Sequence, residues 1–204
     1  MTHQELSALV KRERMARDTA AWDELSTLYW PGAAVRVTWF DGTIEEFVDI
    51  SRDQEQRGRG RGIHAITPVR VNASGDRATV ESAGQILIRP TIDGIQCDVT
   101  SWCRFFSRFE RRDGHWRMGS FDSIYCKDRI DTVSPGVQLD LDQETLASGR
   151  ASYRHLRYLN LRAGYTVPDD LPGDDRLDLL EKFYADAHSW LTTDTRDYSS
   201  TSVR

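Results

Sequence analysis

Apolar positions recur in two rhythms along the chain, a three- and four-residue spacing toward both ends and a two-residue spacing through the middle. Thr2 and Glu5 form a capping box, and Leu6, Leu9, Val10 and Met15 continue at helical spacing to about residue 17. Asp18 or Thr19 can cap a second helix carrying Trp22, Leu25, Leu28 and Tyr29, which Pro31-Gly32 stops. Ala33 to Phe40 alternates as a strand, with Asp41-Gly42 as its turn. Thr43 and Glu46 make another capping box, ahead of a third helix with Phe47, Val48 and Ile50 that reaches about Gln56.

Four longer strands are predicted next, His64 to Val71, Arg77 to Arg89, Gln96 to Glu110 and Trp116 to Tyr125. Ser74-Gly75-Asp76, Asp93-Gly94 and Asp113-Gly114 supply the turns between them. Thr132 to Asp142 is rich in proline, glycine and aspartate. Two C-terminal helices then follow, Tyr153 to Arg162 and the amphipathic series Leu177, Leu180, Phe183, Tyr184, Ala187, Trp190, Leu191. Helices followed by a strand meander predict an α+β fold, divided into a domain at 1–131, a helical extension at 132–191 and a flexible polar tail at 192–204.

Composition narrows the classes. Hydrophobic residues make up 39% of the chain and charged residues 29%, enough burial for a globular core and too little charge bias for wholesale disorder. The longest aliphatic run is Ile86-Leu87-Ile88, so no membrane-spanning helix is expected. The N-terminus lacks the apolar stretch of a secretory signal, which makes a cytoplasmic location the expectation. A net charge of −5 argues against general nucleic-acid binding, and the Arg-Gly repeat from Arg57 to Gly62 reads better as a mobile rim than as an RNA-binding tract. Cys97, Cys103 and Cys126 form no C-x-x-C pair, so neither a disulfide framework nor a structural metal is expected.

The element order resembles the SnoaL-like branch of the nuclear transport factor two superfamily. The resemblance rests on Arg17-Asp18-Thr19-Ala20-Ala21-Trp22-Asp23-Glu24-Leu25, with an acidic residue before a W-D-x-L helix, on Gly62-Ile63-His64 opening a strand, and on Arg111 to Arg117 across the last hairpin. It covers about residues 3 to 131. The resemblance implies a cone-shaped α+β barrel, a strongly curved mixed or antiparallel sheet wrapped around the N-terminal helices to leave a deep pocket. It also implies a homotrimer or homodimer and a small-molecule substrate. Members include scytalone dehydratase, hexachlorocyclohexane dehydrochlorinase, ketosteroid isomerase and limonene epoxide hydrolase, as well as proteins that only bind, so the fold alone does not choose a reaction.

In the dehydratase and dehydrochlorinase members an aspartate before the W-D-x-L helix orients a histidine at the start of the second strand, and Asp18 and His64 stand at the matching positions. Histidine can take and return a proton near neutrality, while a carboxylate fixes its tautomer and stabilises the imidazolium. Such a pair can carry out a dehydratase-type elimination without metal or organic cofactor. An aspartate between helices is also a common cap. The chain departs from the scytalone dehydratase pattern at Arg17, where that family has a tyrosine, and near Trp102, where it has a second histidine. Trp39, Trp102, Phe121 and Tyr125 are candidate walls for a flat apolar substrate or ordinary core residues. Tyr29 and Tyr125 can hydrogen-bond a substrate oxygen, and Asp122 is either a second pocket carboxylate or an edge residue. An isomerase or epoxide hydrolase with carboxylates in the lead, and a non-catalytic hydrophobe binder, are the alternatives. The binding alternative expects no His64–Asp18 bond, or a cavity filled by aromatic side chains.

Overall fold

The computed structural model describes residues 3–57 and 62–193. Thr2 of the first capping box, most of the Arg-Gly repeat and residues 194–204 lie outside them. Helix α1 spans His3–Asp18, α2 Trp22–Thr27, strand β1 Tyr29–Val37, β2 Phe40–Thr43, α3 Ile44–Gln56, β3 Ile63–Ser74, β4 Arg77–Ile88, β5 Thr91–Ile92, β6 Ile95–Arg112 and β7 His115–Thr132. The C-terminal region adds α4 Gln143–Ala147, α5 Arg154–Arg162 and α6 Leu177–Thr192.

The strands form one curved, unclosed sheet in the order β2-β1-β7-β6-β4-β3, with β5 paired to β6. All neighbours are antiparallel except β1 and β7, which run parallel, so the sheet is mixed. Asp93-Gly94 and Asp113-Gly114 both place two successive residues at positive φ, the geometry of two-residue hairpin turns that an aspartate and a glycine tolerate. Four register shifts, one on β1 around Pro31-Gly32, one on β3 between Ile66 and Val69, and two on β7 opposite Trp102–Cys103 and Arg108–Phe109, break the regular ladder where the sheet curves.

One core lies between the sheet and α1, α2 and α3, joining Leu6, Val10, Leu25 and Phe47 to Val35, Val80, Val99, Phe109 and Phe121. Tyr153, Leu156, Val167 and Leu171 of the C-terminal extension belong to that same core. Helix α6 takes the opposite face of the sheet, where its Ala187, Phe183 and Tyr184 cover Phe106 and Ile124.

Several predicted boundaries move. Helix α2 ends at Thr27, and Pro31-Gly32, expected to stop a helix, lies inside β1, where Gly32 (φ 73°) offers its N–H to Glu45. Asp41-Gly42 is paired within β2, and the turn falls at Thr38-Trp39 instead. Tertiary contacts set that position: Tyr125 Oη accepts the Thr38 N–H at 3.0 Å, and the Trp39 ring packs 5.1 Å from Phe47. Gly42 serves a close approach, since a Cβ there would meet Glu46 Oε2 at 2.7 Å and Phe40 at 2.9 Å. Glu46 completes the predicted capping box with Thr43 at the start of α3. Strand β7 runs seven residues past the predicted end at Tyr125, and α4 was not predicted at all.

Candidate functional site

Helix α1 places the first half of the site through the way it ends. Ala20 adopts φ 56° and the Ala21 N–H returns to the Ala16 carbonyl at 2.9 Å, a left-handed C-terminal cap that closes the helix. Thr19 bonds back to the Met15 carbonyl, and α2 has Ala21 as its N-cap residue, without a side-chain cap. The Asp18 carboxylate is thereby spared from capping and reaches β3. Its Oδ1 lies 2.6 Å from His64 Nδ1, and its Oδ2 accepts the His64 backbone N–H at 2.9 Å.

Two contacts from one carboxylate fix both the backbone and the ring of His64. The pair is largely buried, with the two side chains 14% and 15% exposed. Burial pushes the imidazole below its ordinary value of 6.5, against the upward pull of Asp18, and the charge of Arg14 pushes the same way as burial. The ring is therefore neutral at neutral pH. A neutral imidazole whose Nδ1 faces a carboxylate carries its proton on Nδ1, which leaves Nε2 as the acceptor.

His64 borders a cavity of about 660 Å³ between the helices and the sheet. Phe105 and Phe121 of the sheet, Trp22 and Phe47 of the helices, and Ile86 and Ile88 of β4 give it apolar walls. The predicted site residues divide around it. His64, Trp39, Phe121 and Tyr125 line the cavity, and Asp18 stands behind His64. Tyr125 is fully buried, its hydroxyl already accepting from Thr38.

Trp102, Tyr29 and Asp122 do not line the cavity. Trp102 points to the other face of β6, beneath Lys127 and Arg129, because alternation along the strand gives the cavity side to Cys103 and Phe105. Tyr29 is buried beside α1, where its hydroxyl donates to Glu13 Oε1 at 2.7 Å and accepts from Arg17 Nη2 at 3.2 Å. Asp122 shares the outer face with Arg36 and Arg108. The carboxylate-led alternative thus lacks the placement of Asp122 that it needed.

Arg14 and Arg17 are cavity residues that the sequence reading passed over as site groups. They and Glu13 continue the stripe of Leu6 and Val10, whereas Met15, assigned to that stripe, is 63% exposed. The available signal was charge at buried helical spacing. The C-terminal extension contributes as well: Leu156, Leu159 and Asn160 of α5, with Tyr165, close one side of the cavity. Tyr165 Oη lies 2.5 Å from Gln54 Nε2 and ties that segment to α3.

A second histidine shows that the pairing alone does not define a site. His155 Nδ1 lies 2.8 Å from Asp128 Oδ1, and Asp128 Oδ2 accepts the N–H groups of His155 and Leu156, which caps α5. That ring does not line the cavity. Among the described residues no three His, Cys, Asp or Glu side chains are grouped to hold a metal ion, and no helix is long and apolar enough to cross a membrane.

The SnoaL-like domain model matches residues 2–122, the span that carries α1 to α3, His64 and most of the sheet. The chain belongs to the SnoaL-like domain family. A PEP2-like protein of Fusarium vanettenii is 29% identical over 189 residues, covering 86% of this chain and 79% of that protein. Among solved structures, a type 2 hexachlorocyclohexane dehydrochlorinase matches with a TM-score of 0.53 at 16% identity, covering 67% of this chain and 90% of that one. A Novosphingobium aromaticivorans protein named for scytalone dehydratase matches with a TM-score of 0.50 at 15% identity, covering 66% and 93%. At these identities the structural matches establish the shared fold. The SnoaL-like match ends ten residues before β7 does, and α5, which walls the cavity, lies beyond it.

Proposed function

We propose that this SnoaL-like protein is a cofactor-independent lyase that removes water from a small, flat, mostly apolar hydroxylated ring compound, with His64 as base and then acid and Asp18 as its positioning partner. The observation that carries the reading is the 2.6 Å approach of Asp18 to His64 Nδ1 in a ring that also borders an apolar cavity. Asp18 holds the tautomer, and burial keeps the imidazole neutral and ready to accept a proton. A proton taken at Nε2 makes an imidazolium, which Asp18 stabilises and which returns the proton to the departing hydroxyl. The names of the hexachlorocyclohexane dehydrochlorinase and the scytalone dehydratase-like protein, which denote elimination of hydrogen chloride and of water, add support to this reading. The aromatic walls suit a flat ring.

The test is a screen of hydroxylated cyclic ketones, read by the ultraviolet absorbance of the conjugated double bond that dehydration creates. For a compound that turns over, His64→Gln is expected to lower kcat by about 10²-fold or more, and Asp18→Asn to lower it strongly because the imidazole loses its orienting charge. The acid limb of kcat/KM is expected below pH 6.5, in the direction burial sets. Turnover that survives His64→Gln at the wild-type rate would overturn the assignment, and absence of turnover across the screen alongside ligand binding would favour the binding-only alternative.

A further inference from the structure

The cavity that His64 borders is also lined by a charged side chain with unused donors. Arg14 is 3% exposed, and neither Nη1 nor Nη2 has a hydrogen-bond partner among the described residues. Its Nε donates to Glu13 Oε2, and Nη2 lies against the same oxygen as an ion pair without hydrogen-bond alignment. Arg17, one turn along, is committed in full contrast: Nε donates to Glu13 Oε1 at 2.7 Å and Nη2 to Tyr29. Burial alone would raise the Glu13 carboxyl, but the two guanidinium groups hold it below the ordinary range, so it stays ionised and balances one of them. Asp18, the next carboxylate on the helix, is bound to His64. What is left at the cavity is a buried guanidinium whose Nη1 has neither a hydrogen-bond nor an ion-pair partner among the described residues and whose Nη2 has no hydrogen-bond acceptor.

Its position relates it to the proposed chemistry. Arg14 and Asp18 are four residues apart on α1 and share a face. The Arg14 guanidinium lies 4.9 Å from the centre of the Phe105 ring, and the His64 ring packs edge-on against that same ring at 5.6 Å. Buried N–H donors left without acceptors are costly unless something supplies them. A planar oxygen group supplies them in matching geometry.

We propose that Arg14 anchors a substrate oxygen, which narrows the substrate to a β-hydroxy carbonyl compound with a flat apolar body. This rests on the lyase reading for the reaction, though not for the binding. His64 Nε2 takes a proton from the carbon next to the carbonyl, and the C–H electron pair becomes the carbon–carbon double bond of an enolate whose oxygen carries the negative charge against Arg14. The enolate then re-forms the carbonyl, its electrons make the new double bond, and the carbon–oxygen bond to the β-hydroxyl breaks. The leaving oxygen takes the proton from the imidazolium and departs as water. Atoms and charge balance without an added reductant or oxidant. Placing a donor where negative charge develops is the arrangement that favours such a transition state.

The test uses 2-naphthoate, a flat apolar body with a planar anionic oxygen group, against 2-naphthylmethanol, its neutral counterpart, in calorimetric titrations of the full chain. The wild type is expected to prefer the anion by roughly tenfold or more, the scale of one charge-assisted hydrogen bond. Arg14→Met is expected to abolish the preference, and His64→Gln to keep it. Equal affinity for the two probes in the wild type, or a preference unchanged in Arg14→Met, would overturn the proposal. If Arg14→Met does not fold, the decision passes to arginine side-chain nitrogen resonances of the wild type, with Arg14 identified by Arg14→Lys: a shift on adding 2-naphthoate supports the anchor, and an unchanged signal overturns it. Lost anion preference with intact His64-dependent turnover would sink the anchor alone. Preserved preference with no turnover would sink the lyase reading alone.

Discussion

A carboxyl pressed into a sheet face loses the water that stabilises its charge, and Asp122 illustrates what that costs. Burial pushes it up to about 6, with Arg108 and Arg36 offsetting part of the rise and Asp41 adding to it. Its Oδ2 has no hydrogen-bond partner among the described residues. The folded value lies above the unfolded value near 3.8, so the folded state holds the proton more tightly. That contribution is complete below about pH 4 and is lost as pH rises through 6. At pH 8 a buried charge remains, at a cost on the order of 3 kcal/mol. Asp122→Asn is therefore expected to raise unfolding stability at pH 8 by about that amount and to change it little at pH 4. Urea unfolding at the two pH values checks this, and an equal effect at both would show that the carboxyl is not strained. His64 has the opposite sign: its value is lowered, so protonation opposes folding as pH falls below 6.5. The same solvent loss thus raises an acid on one face of the sheet and lowers a base on the other.

At the scale of elements, the shape of the site depends on how closely β4 and β6 approach. Gly84 pairs with Cys103, and a Cβ added at Gly84 would meet the Phe105 ring at 2.5 Å and the Ala65 carbonyl oxygen at 3.0 Å. Phe105 is also the ring that His64 and Arg14 share. Gly84→Ala is expected to cost about 1–3 kcal/mol through overpacking and to displace the Phe105 ring, weakening ligand binding more than the stability loss alone explains. A thermal melt paired with a 2-naphthoate titration separates the two, and full affinity in the variant would mean that the ring relaxes elsewhere. Interactions near in sequence were the legible ones. The Asp93-Gly94 and Asp113-Gly114 hairpins, the Thr43–Glu46 box and the strand cores follow from turn chemistry and period, whereas the Asp18–His64 pair, 46 residues apart, was expected from the family resemblance alone. The Thr38-Trp39 turn was hidden because Tyr125, 87 residues away, fixes it. Arg14 and Glu13 were hidden because charged residues at buried helical spacing read as a solvated face until Phe105, Phe121 and Tyr29 are seen to surround them.

At the scale of the whole molecule, the C-terminal region does two separable jobs. Helix α5 and Tyr165 wall the cavity, and Tyr153, Leu156 and Leu171 belong to the main core, so a break after Asp131 would open both. Helix α6 instead packs on the outer face, through Phe183 and Tyr184 against Phe106, a hydrogen bond from Tyr184 to Glu81, and the Arg77 guanidinium on the Trp190 carbonyl at 2.7 Å. No α6 residue lines the cavity. Ending the chain at Arg176 would uncover Phe106 and Ile124, which are 4% and 0% exposed, at a cost of about 3 kcal/mol in lost burial. The expected result is a clearly lowered melting temperature with 2-naphthoate binding retained, and stronger self-association by light scattering, because two buried apolar side chains become an exposed patch on a long sheet. An unchanged melting temperature would mean that α6 contributes nothing to the folded core. Lost ligand binding in a truncated chain that still melts cooperatively would mean that the outer face and the cavity are coupled through β6, whose alternate residues, Phe105 and Phe106, serve one face each.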